Sequence, residues 1–129
     1  MTISPALALH GALYAILAPA MGSVSVYDRV PQNAAFPFVH YGDTQLIGDV
    51  FTGSGSTDAH VNIHVFSRGR GKAELLTLEA TVRDALENYI AVPGFQTDTF
   101  EYVTTRMMTE PDGLTEHAII EFKYGLTAK

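Results

Sequence analysis

The sequence predicts an α+β fold: a small antiparallel sheet of about four main strands, with two helices packed on one face. Three observations carry that expectation. Residues 59–66 alternate strictly, with Ala59, Val61, Ile63 and Val65 on one side and His60, Asn62, His64 and Phe66 on the other, the period-2 pattern of a half-buried strand. The period then changes. Leu75, Leu78, Val82, Ala85, Leu86 and Tyr89 fall within an arc of roughly 100° when wound as a helix, opposite Glu74, Thr77, Thr81, Asp84, Glu87 and Asn88. Finally, hairpin-like connections on either side of this second helix favour antiparallel pairing, with the helices covering one face and the other face more polar.

The remaining elements follow in chain order. Ser4-Pro5 opens a helix, serine capping free amides and proline preorganised at the first helical position. No charged residue occurs before Asp28. Leu7, Leu9, Leu13, Tyr14, Ile16 and Leu17 form the bulky half of this helix and are expected against the sheet. Ala8, Gly11, Ala12, Ala15 and Ala18 form the small half, suited to a close neighbour such as another subunit. Residues 24–27 read as a short edge strand. Residues 28–37 read as an extended loop pinned by Pro31 and Pro37, and Phe38 begins a strand that runs toward Ile47.

Residues 48–58, centred on Gly53-Ser54-Gly55-Ser56, have the composition of a hairpin tip. Pro93-Gly94 is expected to stop the second helix. Residues 95–108 are strand-like with untidy alternation, which predicts a bulge. Glu110-Pro111-Asp112-Gly113 is a turn. Residues 115–126 return as a strand, with Ala118, Ile120, Phe122 and Tyr124 on one face and His117, Glu121 and Lys123 on the other.

Composition narrows the function classes. One domain over residues 1–129 is the simplest organisation at this length. Cysteine is absent, which excludes disulfides, Cys-ligated zinc and thiol nucleophiles. Fourteen acidic against eight basic residues give a net charge of −6, the wrong sign for gripping nucleic acid by counterion release. The apolar start lacks the basic residues of a secretory signal, is interrupted by His10 and Gly11, and is shorter than the roughly 20 residues that span a bilayer. No export and no membrane partner are expected.

Motifs for chemistry fail in turn. His60 and His64 share a strand face but stand about 13 Å apart, too far for one zinc ion. His40 and His117 approach only if the sheet brings them together. Gly69-Arg70-Gly71-Lys72-Ala73 lacks a phosphate loop's leading glycine, where Phe66 stands, and its Ser or Thr after the lysine, where Ala73 stands. There is no nucleophile elbow and no His-Glu-x-x-His segment. No enzyme activity, cofactor or metal is therefore expected. What remains is a basic turn. Arg68, Arg70 and Lys72 are three of the eight basic residues, and Arg70 and Lys72 lie where a helix macrodipole disfavours cations. Cations so placed are suited to acidic groups on a neighbouring subunit. Arg68, Arg70 and Lys72, with Phe51 and Leu76, are the candidate subunit or partner contacts.

Three segments together resemble a known family. They are residues 26–39 (Tyr27-Asp28, Val30-Pro31, then Phe36-Pro37), residues 64–68 (an aromatic, serine and arginine just before a helix) and residues 112–118 of the last hairpin. The chain is similar over nearly its whole length to the tail terminator, or tail completion, proteins of tailed phages and phage-derived gene transfer agents. That resemblance implies a structural protein of the particle's tail, assembled in the host cytoplasm. It implies a homohexameric ring on the head-proximal end of the tail tube, contacting the major tail tube protein and the head-closure or neck proteins. DNA would pass through the lumen without specific binding. The alternatives are a head-closure or neck connector protein, or a small ligand-binding α+β domain.

Overall fold

The computed structural model describes residues 4–48 and 56–129. Helix α1 spans Pro5–Ala20, strands β1 Ser25–Tyr27, β2 Phe38–Gly48 and β3 Ser56–Ser67, helix α2 Ala73–Leu86, and strands β4 Phe95–Thr109 and β5 Glu116–Ala128. The five strands form one sheet in the order β1-β2-β3-β5-β4. The Ser4 hydroxyl caps α1 as expected, accepting the Leu7 N–H at 3.1 Å.

The sheet is mixed, not wholly antiparallel. Four strands pair antiparallel, but β1 runs parallel to β2, with Val26 opposite Val39. A tight turn can only reverse the chain, whereas the long loop 28–37 carries it back to the starting end. The β2–β3 hairpin closes at Gly48 opposite Thr57, and its tip, including Phe51, lies outside the described residues. The predicted irregularity of β4 is present twice, with register shifts at Thr97/Thr99 and Tyr102/Thr104.

β3 and β5 lie side by side in the middle of the sheet, and their inward rows make the floor of the core. Ala59, Val61, Ile63 and Val65 are fully buried, as are Ala118, Ile120, Phe122 and Tyr124. Leu75, Val82 and Leu86 of α2 and Leu9, Leu13 and Leu17 of α1 close it from above. Burying each such side chain favours folding by about 1.5–3 kcal/mol.

Both helices differ in detail from the periodicity reading. In α1 the buried stripe is Leu9, Leu13, Leu17 and then Met21, while Leu7 is 74% and Tyr14 43% exposed. A narrow i, i+4 row suffices because Ala8, Ala12 and Ile16 pack beside it. α2 stops at Leu86, well before Pro93-Gly94. Beyond it Ile90 and Val92 are buried in chain without regular secondary structure. Two core anchors two residues apart cannot share one helix face, so the helix gives way. Tyr89, expected on the buried arc, is 62% exposed. Among the described residues no helix is long and apolar enough to cross a membrane.

Candidate functional site

The turn between β3 and α2 is built from intrachain ties, and they divide its three cations. Ser67 is fully buried. Its hydroxyl donates to Glu74 Oε1 at 2.5 Å and accepts the Gly69 N–H at 3.1 Å. Arg68 Nε donates to Thr115 Oγ1 at 2.9 Å, and its guanidinium lies 4.1 Å over the Phe36 ring. Asp112, 3.5 Å from Arg68 Nη2, accepts from the backbone N–H groups of Thr115 and Leu114 and from the Thr115 hydroxyl. These hydrogen bonds hold its carboxyl down at about 2. Arg68 thus clips the loop before β2 and the β4–β5 turn to the end of β3. Lys72 stands 3.9 Å from Glu116 with 58% of its side chain exposed, a weak pairing. Arg70 is exposed and has no partner among the described residues. Leu76, one turn further, is 46% exposed. Arg70, Lys72 and Leu76 stay available for contact, and Arg68, also tied within its own chain, keeps 48% of its side chain exposed.

A second feature lies on the sheet face turned away from the helices. Phe66 is opposite Phe38 on one side and His117 on the other, and the next rung places His64 opposite His40. Cross-strand register, not sequence spacing, makes these neighbours. The rings form a ladder: Phe38 to Phe66 at 5.0 Å, Phe66 to His117 at 4.1 Å, His64 to His117 at 5.0 Å and His40 to His64 at 5.7 Å. His40 and His117 are linked through His64. His117 Nδ1 lies 2.6 Å from Glu110 Oε1, and His64 Nδ1 lies 2.8 Å from His117 Nε2. With both rings neutral, the network is satisfied when Glu110 accepts from His117 Nδ1–H and His117 Nε2 accepts from His64 Nδ1–H; a protonated His117 would donate at both nitrogens. The His64 ring packs over Gly42, where a Cβ would overlap it. Among the described residues no three His, Asp or Glu side chains are placed to hold a metal ion.

The ladder sets a pH dependence. Burial lowers the His64 pKa below its usual 6.5, and the positive charges of His117 and His40 lower it further, against a weaker opposing pull from Asp43. A folded-state value below the unfolded one means that the unfolded chain binds the extra proton. Stability is therefore full above pH 6.5, falls as pH drops below it, and levels once pH is under the folded value. Thermal melts at pH 7.5 and 5.5 are expected to show this decline, and His64→Gln is expected to reduce it. An equal decline in both proteins would assign it to other groups.

The helix side carries exposed apolar surface. Leu7, Gly11, Ala15, Ala91 and Pro93 help to line an open groove of about 620 Å³ along α1. Tyr89 meets Phe100, itself 40% exposed, edge to face at 6.3 Å. Sequence reasoning missed the Tyr89–Phe100 pair, the Ser67–Glu74 tie and the half-buried ladder. The Ser67–Glu74 spacing offered a signal, a strand-end serine followed seven residues later by an acid in the helix's first turn, and strand alternation put His64, Phe66 and His117 on outward faces without giving their register.

Comparison with known proteins accords with this architecture. Residues 3–126 match the family described as "Tail completion protein gp17". A solved chain from "Virion of native gene transfer agent (GTA) particle" superposes with a TM-score of 0.85 at 16% identity, covering 98% of this chain and 100% of that one. At that identity the likeness is one of fold. No curated protein sequence matches the chain. With its family matched from residue 3 to residue 126, the chain belongs to the tail completion protein gp17 family and is a structural protein of a phage-type virion tail.

Proposed function

We propose that the chain acts, as a single domain, as a tail terminator. Six copies close into a ring on the head-proximal end of the tail tube, stop its polymerisation and present the surface on which head-closure or neck proteins seat. The observation that carries this reading is the family match over nearly the whole length. The net charge of −6 supports a lumen through which DNA moves without adhering. Arg70, Lys72 and Leu76 are assigned to the subunit contact, and Phe51 to docking on a partner.

The test is growth of tubes from the purified major tail protein, with and without this chain, followed by electron microscopy and native mass spectrometry. Six-membered rings on one end of the tubes, and arrested length, are the expected result. Tubes that keep elongating, or a chain that seats only on heads, would reject the terminator role.

A further inference from the structure

The outer ridge of α2 has a charge order opposed to its own dipole. Lys72, Leu76, Ala80 and Asp84 recur every four residues and so line one side of the helix. Leu76, Ala80 and Asp84 border the same shallow open groove. The helix begins at the cations Arg70, without a partner among the described residues, and Lys72, 58% exposed and only weakly paired with Glu116, with no side-chain cap on its free amides. It ends at Asp84 and Glu87, both exposed, with no cation within 4.0 Å of either carboxylate among the described residues. Helix dipoles favour the reverse arrangement at each end. Glu74 and Arg83, the helix's favourably placed charges, are taken up by Ser67 and by Glu79 respectively. Each end also carries exposed apolar surface: Leu76 at the start, and the Tyr89–Phe100 pair just past the end.

Resting on the ring reading above, we infer that the occupant of this surface is a second copy of the chain, docked head to tail. Arg70 and Lys72 of one copy meet Asp84 and Glu87 of the next, and Leu76 packs near that copy's Tyr89 and Phe100. The two charged ends lie about 21 Å apart along the 14-residue helix, far enough to serve two different neighbours. Copies that each carry −6 repel overall, so association needs a local match of opposite charge. Unlike patches in register generate a heterologous contact, which closes into a ring when the rotation per subunit divides the circle. A side-by-side antiparallel pair would also match the charges, but it would leave Tyr89 and Phe100, beyond the end of the ridge, uncovered.

The experiment uses the full chain with two double reversals, Arg70→Glu/Lys72→Glu and Asp84→Lys/Glu87→Lys. Each is examined alone and in equal mixture by sedimentation velocity and native mass spectrometry. All four positions are exposed and the reversed charges suit the helix dipole, so both variants should melt at or slightly above the native chain. Each alone is expected to lose self-association at least about tenfold, and the mixture, whose reversed ends match each other, is expected to recover it. Native-like assembly of either variant alone, or a mixture that stays apart, overturns the head-to-tail contact while leaving the ring reading standing. A closed dimer abolished by the reversals would replace it with the side-by-side arrangement. A native chain that remains monomeric at all concentrations would defeat the ring reading itself.

Discussion

Phe122→Ala is expected to destabilise the chain by about 3–5 kcal/mol, the usual cost of emptying an aromatic core site. Phe122 is fully buried in the middle of β5. Its ring meets Tyr102 edge to face at 6.1 Å and lies over Tyr124 at 6.4 Å. Val61 and Tyr102 flank it across the sheet. The surrounding backbone is held by strand pairing on both sides and cannot collapse into the void. Domains of this size have about 5–15 kcal/mol in hand, so the variant would retain only part of its margin. Urea unfolding is the measurement, with Val103→Ala, at a position 43% exposed, as the control expected to stay within about 0.5 kcal/mol. A loss under about 1 kcal/mol would mean that Phe122 does not anchor this core.

Glu79→Ala is the second large effect, expected to cost about 2 kcal/mol. Glu79 is only 7% exposed although it lies on a helix among leucines. The Tyr102 hydroxyl donates to Thr105 Oγ1, and the Thr105 hydroxyl donates to Glu79 Oε2, each at 2.7 Å. Arg83 Nε lies 3.4 Å from the same carboxylate, and its guanidinium stands 4.6 Å over the Tyr102 ring. The network ties α2 to the edge strand β4. Removing the carboxylate strands the buried Arg83 Nε, which has no hydrogen-bond partner of its own among the described residues. With 39% of the Arg83 side chain exposed, its charge can turn toward water, which keeps the loss below the 3–5 kcal/mol typical of fully buried pairs. Glu79→Gln keeps an acceptor for Thr105 and is expected to recover about half of the loss. Equal urea midpoints for the two variants would show that the Thr105 bond contributes nothing.

These expectations bear on function because α2 carries both charged ends of the proposed contact, and its placement depends on the core below it and on Glu79 beside it. A variant that tilts α2 without unfolding the chain would impair assembly through position alone. Arg68 illustrates the same dependence. Grouped with Arg70 and Lys72 on sequence, it donates from Nε to Thr115 and from Nη2 to Asp112, so reversing its charge would disturb the β4–β5 turn as well as any contact.

Local rules carried far along this chain. The β3 alternation, the α1 cap at Ser4 and the turn before β5 were all legible, because each depends on neighbours two to four residues away. The family was legible as well, from three short segments spread over the length. Other features were decided only in three dimensions. The parallel β1–β2 pairing depends on where a loop returns the chain, and the early end of α2 goes with the burial of Ile90 and Val92 in the core.

The histidine ladder exists because register puts Phe38, Phe66 and His117 on one rung. Which cations stay free is likewise a tertiary fact. Sequence alone determined that the chain is an acidic, cysteine-free α+β protein with a basic strand-to-helix turn and no catalytic motif. Tertiary structure decided that Arg68 is hydrogen-bonded within the chain, while Lys72 has only a weak pairing with Glu116 and Arg70 has no partner among the described residues. The physical reason is reach: Thr115 and Asp112 lie more than forty residues away in sequence, and only the pairing of β3 with β5 brings them beside Arg68.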